Sequence, residues 1–160
     1  MAEPPGRDRD ATGRARNARP RDGLGRPLPH GAQGVERVPD DLVLPPAASL
    51  DEGQRLLDAG RPFHAHEVLE GTWKAAPEPE RDLWQGLAQL AVGLTHLARD
   101  NPRGAVTLLR RAARRLAPYA DHPPHGVDVP GLVRFAQDLA DGAARGEVSG
   151  AVEPPRLRSP

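Results

Sequence analysis

The stretch ERDLWQGLAQLAVGLTHLAR (80–99) decides the fold, because its apolar residues recur every three or four positions, the period of an α-helix. Two glycines, Gly86 and Gly93, lie seven positions apart on one side of this helix. A glycine inside a helix costs about 1 kcal/mol relative to alanine. The pair therefore indicates either the glycine-rich composition of the chain or a close crossing with a neighbouring helix. The apolar side of the predicted helix consists of Leu83, Trp84, Leu87, Leu90, Ala91, Leu94 and Leu97.

Helix start and stop signals lie on both sides of this stretch. Ser49 followed by Glu52 matches a capping box, so we expect a helix that begins there and ends at Gly60. Pro62 and Pro102 each suit the first turn of a helix, where a missing N–H is tolerated. The predicted helices span about 49–60, 62–75, 80–99, 102–117 and 129–141.

A faint internal repeat relates two parts of this helical region. Each copy reads as a helix, a short turn with proline and a second helix, as in tetratricopeptide-like hairpins. No segment alternates with the period of a β-strand. The sequence therefore predicts an all-α fold, a compact bundle of about five helices built from two helical hairpins and loosely tetratricopeptide-like. At an offset of 40 positions, Leu57, Pro62, Ala65 and Leu69 correspond to Leu97, Pro102, Ala105 and Leu109.

The helical region is flanked by segments of different composition. Residues 1–48 contain 8 Pro and 6 Gly and few large apolar side chains, so they bury too little surface to offset the entropy of ordering. Residues 142–160 have a similar composition. We therefore expect a helical domain over 49–141 between two disordered tails, 1–48 and 142–160.

Composition excludes several classes of function. The 22 basic and 22 acidic residues balance, which argues against a nucleic-acid-binding protein. The chain has no cysteine, so disulfides, thiolate metal ligands and cysteine nucleophiles are absent. The apolar runs are too short to span a membrane, and the start of the chain has no secretory signal. We expect a cytoplasmic protein that does not enter a membrane.

The second predicted helix carries the most distinctive chemistry, in the stretch RPFHAHEVLEGTWK (61–74). His66 and Glu70 are one turn apart, and Glu70 lies between Phe63 and Trp73 around the helix axis. A carboxylate flanked by two aromatic rings is partly desolvated and needs a cation, a hydrogen-bond donor or a metal. His64 lies on another side of the helix, and we expect it to face solvent or the start of the helix.

Three interpretations of His66, Glu67 and Glu70 remain open. They form a structural polar network, or they bind a metal, or they act as an acid/base pair on an organic substrate. In the metal interpretation His66 and Glu70 are the candidate ligands, a divalent metal is the cofactor and Glu67 is the candidate general base. In the acid/base interpretation Glu67 and Glu70 are the candidate catalytic residues.

Polar residues of the third predicted helix bear on this question. Gln85 and Gln89 lie on a side of that helix away from most of its leucines. They form either an ordinary solvated stripe or part of the polar cluster of the second helix.

The chain resembles the bacterial domain-of-unknown-function family 309 over about sixty residues. The resemblance includes polar as well as apolar positions of the family pattern. It implies a compact all-helical fold and no particular activity, and it implies that His66, Glu70, Trp73, Gln85 and Gln89 form one cluster. The matching residues are Gly60, Phe63, Ala65, His66, Glu67, Leu69, Glu70, Trp73, Gln85, Gly86, Leu87, Gln89, Leu90 and Ala91.

These observations lead to two hypotheses about function. The first is a binding or interaction module whose partner is a small ligand or a protein. The alternative is a metal-assisted or acid/base hydrolase that uses His66, Glu67 and Glu70. Both hypotheses place the site in one polar pocket, formed by His66, Glu67, Glu70, Trp73, Gln85 and Gln89.

Overall fold

A computed structural model describes residues 42–160, and proline marks the start of every α-helix in this range. Each helix has a proline at its first or second position, where no intrahelical partner for its N–H is lost. The helices are α1 (Pro46–Asp58), α2 (Pro62–Ala75), α3 (Glu78–Ala98), α4 (Pro102–Leu116) and α5 (Val129–Ala144), with 3₁₀ turns at Ala117–Tyr119 and Pro124–Gly126.

The helices pack in chain order, each against the next. Short connections separate the first four, and a longer segment with two 3₁₀ turns leads to α5. Within residues 42–160 there is no β-strand, only an isolated bridge between Val127 and Arg158. The predicted all-α fold of five helices is confirmed.

The core lies along α3, which is buried over most of its circumference. Trp84 is its largest side chain and is 0% exposed. Leucines from α1, α2, α4 and α5 belong to the same core, and Leu56, Leu69, Leu109 and Leu132 are each at most 1% exposed.

The two glycines of α3 are sites of close helix crossing. A Cβ atom on Gly86 would lie 2.9 Å from Cγ of Leu116, and one on Gly93 would lie 2.8 Å from Cγ of Leu109. Side-chain atoms are almost never found that close. Of the two explanations for these glycines, the structure therefore supports close packing of α3 against α4.

The start of α1 differs from the prediction. The helix begins at Pro46, its N-cap is Pro45, and no side chain caps it. Ser49 is buried inside the helix and its hydroxyl accepts a hydrogen bond of 2.6 Å from the hydroxyl of Thr72. The capping-box prediction for Ser49 is wrong, because a tertiary contact uses its hydroxyl.

The folded part of the chain extends beyond residue 141, the predicted end of the helical domain. Helix α5 continues to Ala144, and the chain beyond it returns to pack on α1, where Leu157 is 1% exposed. Composition missed this contact because one buried leucine is enough to anchor a short segment that is otherwise rich in proline and arginine. Of the predicted tail 1–48, residues 1–41 lie outside the described range, and 46–48 are helical. In residues 42–160 no helix is both long enough and apolar enough to cross a membrane.

Candidate functional site

One side of α2 gathers the residues that the sequence singled out. The opposite side of the helix faces the core through Ala65, Val68, Leu69 and Thr72. We call the first side the α2 outer face; its members are half-buried and fall within an arc of about 80°. The α2 outer face consists of Phe63, His66, Glu70 and Trp73.

His66 and Glu70 form the polar centre of the α2 outer face. His66 Nε2 lies 2.9 Å from a carboxylate oxygen of Glu70, and the two side chains are 21% and 35% exposed. Lys74 approaches the other oxygen of Glu70 at 3.4 Å. Glu70 therefore has the partners that a carboxylate between two aromatic rings requires.

Burial governs the protonation of His66. Desolvation lowers its pKa, and the charge of Glu70 opposes part of that effect. Lys74 adds a smaller lowering contribution to the same pKa. We therefore describe His66 at neutral pH as an uncharged imidazole that donates its Nε2–H to Glu70.

Aromatic contacts enclose this pair on one side. The ring of Phe63 lies 5.5 Å from the imidazole of His66, between centroids, at an interplanar angle of 56°. Arg99, which follows α3, places its guanidinium carbon 5.5 Å from the centroid of the Phe63 ring. A cation at that distance over an aromatic face is attracted to it. The α2 outer face thus combines an aromatic wall, a carboxylate and a neighbouring cation.

Glu67 lies beside the α2 outer face rather than within it. It is half-buried, and its Oε1 atom is inaccessible to solvent. On a regular helix it points about 100° away from His66. Adjacent positions are also those of the first histidine and the general base in His-Glu-x-x-His, so this angle does not separate the metal interpretation from the others; the departure from that motif is Glu70 in place of the second histidine.

The glutamines of α3 have different surroundings. Gln85 accepts a hydrogen bond of 2.7 Å from Arg115 of α4, whose same nitrogen donates at 2.8 Å to Asp82. Gln89 is half-buried, with a buried Oε1 atom. Over residues 42–160, neither glutamine hydrogen-bonds with His66 or Glu70. The structure brings His66, Glu70 and Trp73 onto one surface and joins Gln85 to α4.

The metal ligands proposed from sequence form a pair. Across residues 42–160, no group of three or more histidine or acidic side chains is arranged to hold a metal ion. His66 and Glu70 would supply two ligands from this surface, and each currently bonds the other. A structural or catalytic zinc site in proteins draws three or four protein ligands.

His64 does not face solvent, contrary to expectation. It is 0% exposed, and its ring meets that of Phe63 edge to face at 5.9 Å between centroids. The carbonyl oxygen of Leu42 lies against Gly71 on the same side of α2, so a segment that a helical wheel does not include packs on this side of the helix.

A second polar pair, His125 and Glu80, was not predicted from the sequence. His125 Nε2 lies 2.5 Å from a carboxylate oxygen of Glu80, and its ring lies 5.9 Å from that of the buried Trp84. The two partners are 45 positions apart. The only sequence signal was a histidine in a proline-rich loop, which gives no indication of the partner.

The lowered pKa of His66 predicts a pH dependence of stability. Because the pKa in the folded state lies below the unfolded value of about 6.5, the unfolded chain binds more protons between these two values. The free energy of unfolding therefore falls as the pH is lowered through this window and is fully recovered above the unfolded pKa. We expect the thermal midpoint of the full chain to be lower at about pH 5.5 than at about pH 8. This difference in thermal midpoint should be smaller in His66→Gln.

His96 contributes in the same direction, since burial and then Arg99 lower its pKa. Comparing the wild type with His66→Gln isolates the contribution of His66 to the pH dependence of stability. Equal pH dependence in the wild type and in His66→Gln would show that His66 titrates alike in the folded and unfolded chains.

Comparison with known proteins shows that the central part of the chain is similar to a protein family. Residues 50–108, from α1 into α4, match the family described as Domain of unknown function (DUF309). Over 61 residues the chain is 44% identical to the Uncharacterized protein YpuF of Bacillus subtilis (strain 168), which is 38% of this chain and 34% of that protein. The chain thus spans about a third of the length of this relative. No solved structure matches the chain. Residues 50–108 are therefore similar to the DUF309 family.

Proposed function

We propose that this protein is a binding or interaction module whose contact surface is the α2 outer face. The observation that carries the proposal is the position of two aromatic side chains, Phe63 and Trp73, half-buried on either side of the His66–Glu70 pair. The whole chain has only two Phe, two Trp and one Tyr. A surface that uses two of these five residues is typical of a binding site.

The chemistry of the α2 outer face favours a protein segment as the partner. Aromatic and arginine side chains are enriched at the centres of interfaces, where they bury area at little entropic cost. The Glu70 carboxylate and the neutral imidazole of His66 would set polar specificity, since an unmatched partner would leave them desolvated and unpaired. A partner with an apolar side chain next to a hydrogen-bond donor fits both features. The absence of cysteine is compatible with a cytoplasmic location, which forms part of the same proposal.

The hydrolase alternative places the same residues in other roles. Glu70 would have to release His66 and Lys74 to act as a base, and the metal route would need a further ligand beside His66 and Glu70. The binding proposal needs neither change. It therefore accounts for the α2 outer face in the arrangement that the structure has.

Glu70→Gln should change the free energy of unfolding by only about 0–1 kcal/mol. The reason is that the ion pair lies on a partly exposed surface and the amide keeps an oxygen that accepts from His66. Urea unfolding of the full chain followed by circular dichroism measures the effect. A loss of about 3 kcal/mol or more would instead identify a fold-critical buried charge.

Photo-crosslinking tests the binding role directly. A photoreactive amino acid at Lys74, next to the α2 outer face, should give a discrete protein adduct in the cells that produce the chain. The matched control carries it at Arg134, an exposed position of α5. Adding Glu70→Gln to the Lys74 variant should reduce the adduct at least several-fold. Identical adducts at both positions, or none at Lys74, would contradict the proposal.

Metal content separates the alternative. The freshly purified full chain is compared with His66→Ala, both prepared without chelator. Near-stoichiometric metal that disappears in the variant would favour the metal-assisted hydrolase over the binding module. Trace metal in both proteins would leave the binding module as the better account of His66.

A further inference from the structure

A short extended segment lies in a groove on α1, well away from the α2 outer face. We call residues 155–159 the strap. The side-chain amide of Gln54 holds its backbone from both directions: it donates to the carbonyl of Pro155 at 3.0 Å and accepts from the N–H of Leu157 at 2.8 Å. A side-chain amide that bonds an N–H and a carbonyl of an extended chain recognises backbone rather than sequence.

The opposite wall of the groove is backbone as well. The N–H of Asp128 donates to the carbonyl of Leu157 at 2.9 Å, and the N–H of Ser159 donates to the carbonyl of Gly126 at 3.0 Å. Val127 and Arg158 form an antiparallel bridge between these two bonds. The strap is therefore held through its backbone by the loop before α5, as extended peptides are held in many recognition sites.

Two residues of the strap, Pro155 and Leu157, are buried. Leu157 is 1% exposed, and its Cδ1 atom lies 3.5 Å from where a Cβ on Gly53 would stand. Leu69 of α2 meets the same point at 3.6 Å. Both distances are those of ordinary van der Waals contact, so Leu157 packs directly on α1 beside Leu69.

Two carboxylates flank the leucine pocket and match two arginines of the strap. Arg156 lies 3.2 Å from Asp58, and Arg158 forms a second ion pair with Asp51. All four side chains are at least 38% exposed, so each pair binds weakly on its own. The groove is complementary to a peptide with the pattern basic–leucine–basic.

The segment that leads to the strap is suited to release. Gly146 and Gly150 have φ angles of +73° and +76°, so the chain turns at two points after α5. A cavity of about 40 Å³ remains where residues 151–154 cross Leu57 and Leu94. With few buried residues and exposed ion pairs, the strap has the features of a segment that opens locally while the helices remain folded.

We propose that this groove is a recognition site for extended peptides of the type Arg-Leu-Arg, and that the strap is its internal ligand. The backbone bonds from Gln54 and Asp128 hold any extended peptide, and the leucine pocket with Asp51 and Asp58 selects the side chains. A partner segment with this pattern binds when the strap leaves. The strap therefore sets the threshold for binding, since its effective concentration at the groove is high.

The test uses the full chain and a fluorescent peptide with the sequence of residues 151–160, AVEPPRLRSP. In the wild type the strap competes with the peptide, whereas Leu157→Asp removes the anchor and leaves the groove open. Fluorescence anisotropy should show at least ten-fold tighter binding of the peptide to Leu157→Asp than to the wild type. Gln54→Ala in the Leu157→Asp background should remove that gain, and a peptide with aspartate in place of its leucine should not bind.

A second variant opens the strap without placing a charge in the core, in case Leu157→Asp misfolds. Arg156→Glu combined with Arg158→Glu keeps the buried leucine and places negative charges of the strap next to Asp51 and Asp58, so that the strap is repelled. It should also bind the peptide at least several-fold more tightly than the wild type. If both opened variants keep the helical circular dichroism of the wild type and bind the peptide no better, the groove is only an internal packing contact. Tighter binding that persists after Gln54→Ala would equally overturn the proposal.

Discussion

Replacing Trp84 with alanine should lower the free energy of unfolding by about 3–5 kcal/mol, the usual loss for a large aromatic side chain in a core. Trp84 is 0% exposed and is the largest buried side chain of α3, which packs against both α2 and α4. Domains of this size have a total stability of about 5–15 kcal/mol, so the variant should be near the limit of folding. Urea unfolding followed by circular dichroism measures the loss.

The second tryptophan is a matched control. Trp73 is only half-buried, at the edge of the core, so Trp73→Ala removes the same atoms from a position that keeps part of its surface in water. We expect it to lose less than half as much stability as Trp84→Ala. Equal losses would mean that Trp73 is as deeply packed as Trp84 and would argue against its role in the α2 outer face.

Gly93→Val should destabilise the fold by about 3 kcal/mol, the upper end of the usual range for overpacking. Already the first added atom would lie 2.8 Å from Cγ and Cδ2 of Leu109, and valine adds two more methyl groups. Because valine is rigid at χ1, it has little freedom to turn away from α4. Helices α3 and α4 would have to separate at this crossing. The thermal midpoint and the urea midpoint should both fall.

Gln137→Val separates crowding from helix propensity. Gln137 is an exposed residue within α5, so valine there brings only its small propensity difference, a few tenths of a kcal/mol. We expect a change within about 0.5 kcal/mol. If both variants lost similar amounts, the effect at position 93 would come from the backbone preference of valine and not from contact with Leu109.

Local signals explain what the sequence could predict about the fold. The period of α3 and the prolines at the helix starts act within one or two turns, and both are visible without any tertiary information. The boundaries of α2 match the prediction, and α5 starts at the predicted position. The spacing of His66 and Glu70 likewise placed them in contact, since neighbours four apart on a helix face each other.

The features that the sequence could not predict depend on partners distant in the chain. Ser49 looked like a helix cap, but Thr72 uses its hydroxyl. Gln85 was assigned to a cluster on α2, whereas Arg115, thirty positions away, is its partner. Gln54 carried no signal at all, because its role depends on a segment 101 positions further along the chain. In each case the side chain is compatible with several environments, and only the tertiary structure selects one.

The strap also has a consequence for the order of events in folding. The helices pack mainly against their neighbours in sequence, a topology that shortens the search for native contacts. The strap joins α1 to residues about a hundred positions away, so a large loop must close before it can dock. It therefore joins a bundle that has already assembled. Contacts made after the transition state slow unfolding and leave the folding rate almost unchanged. The strap therefore lengthens the lifetime of the native state.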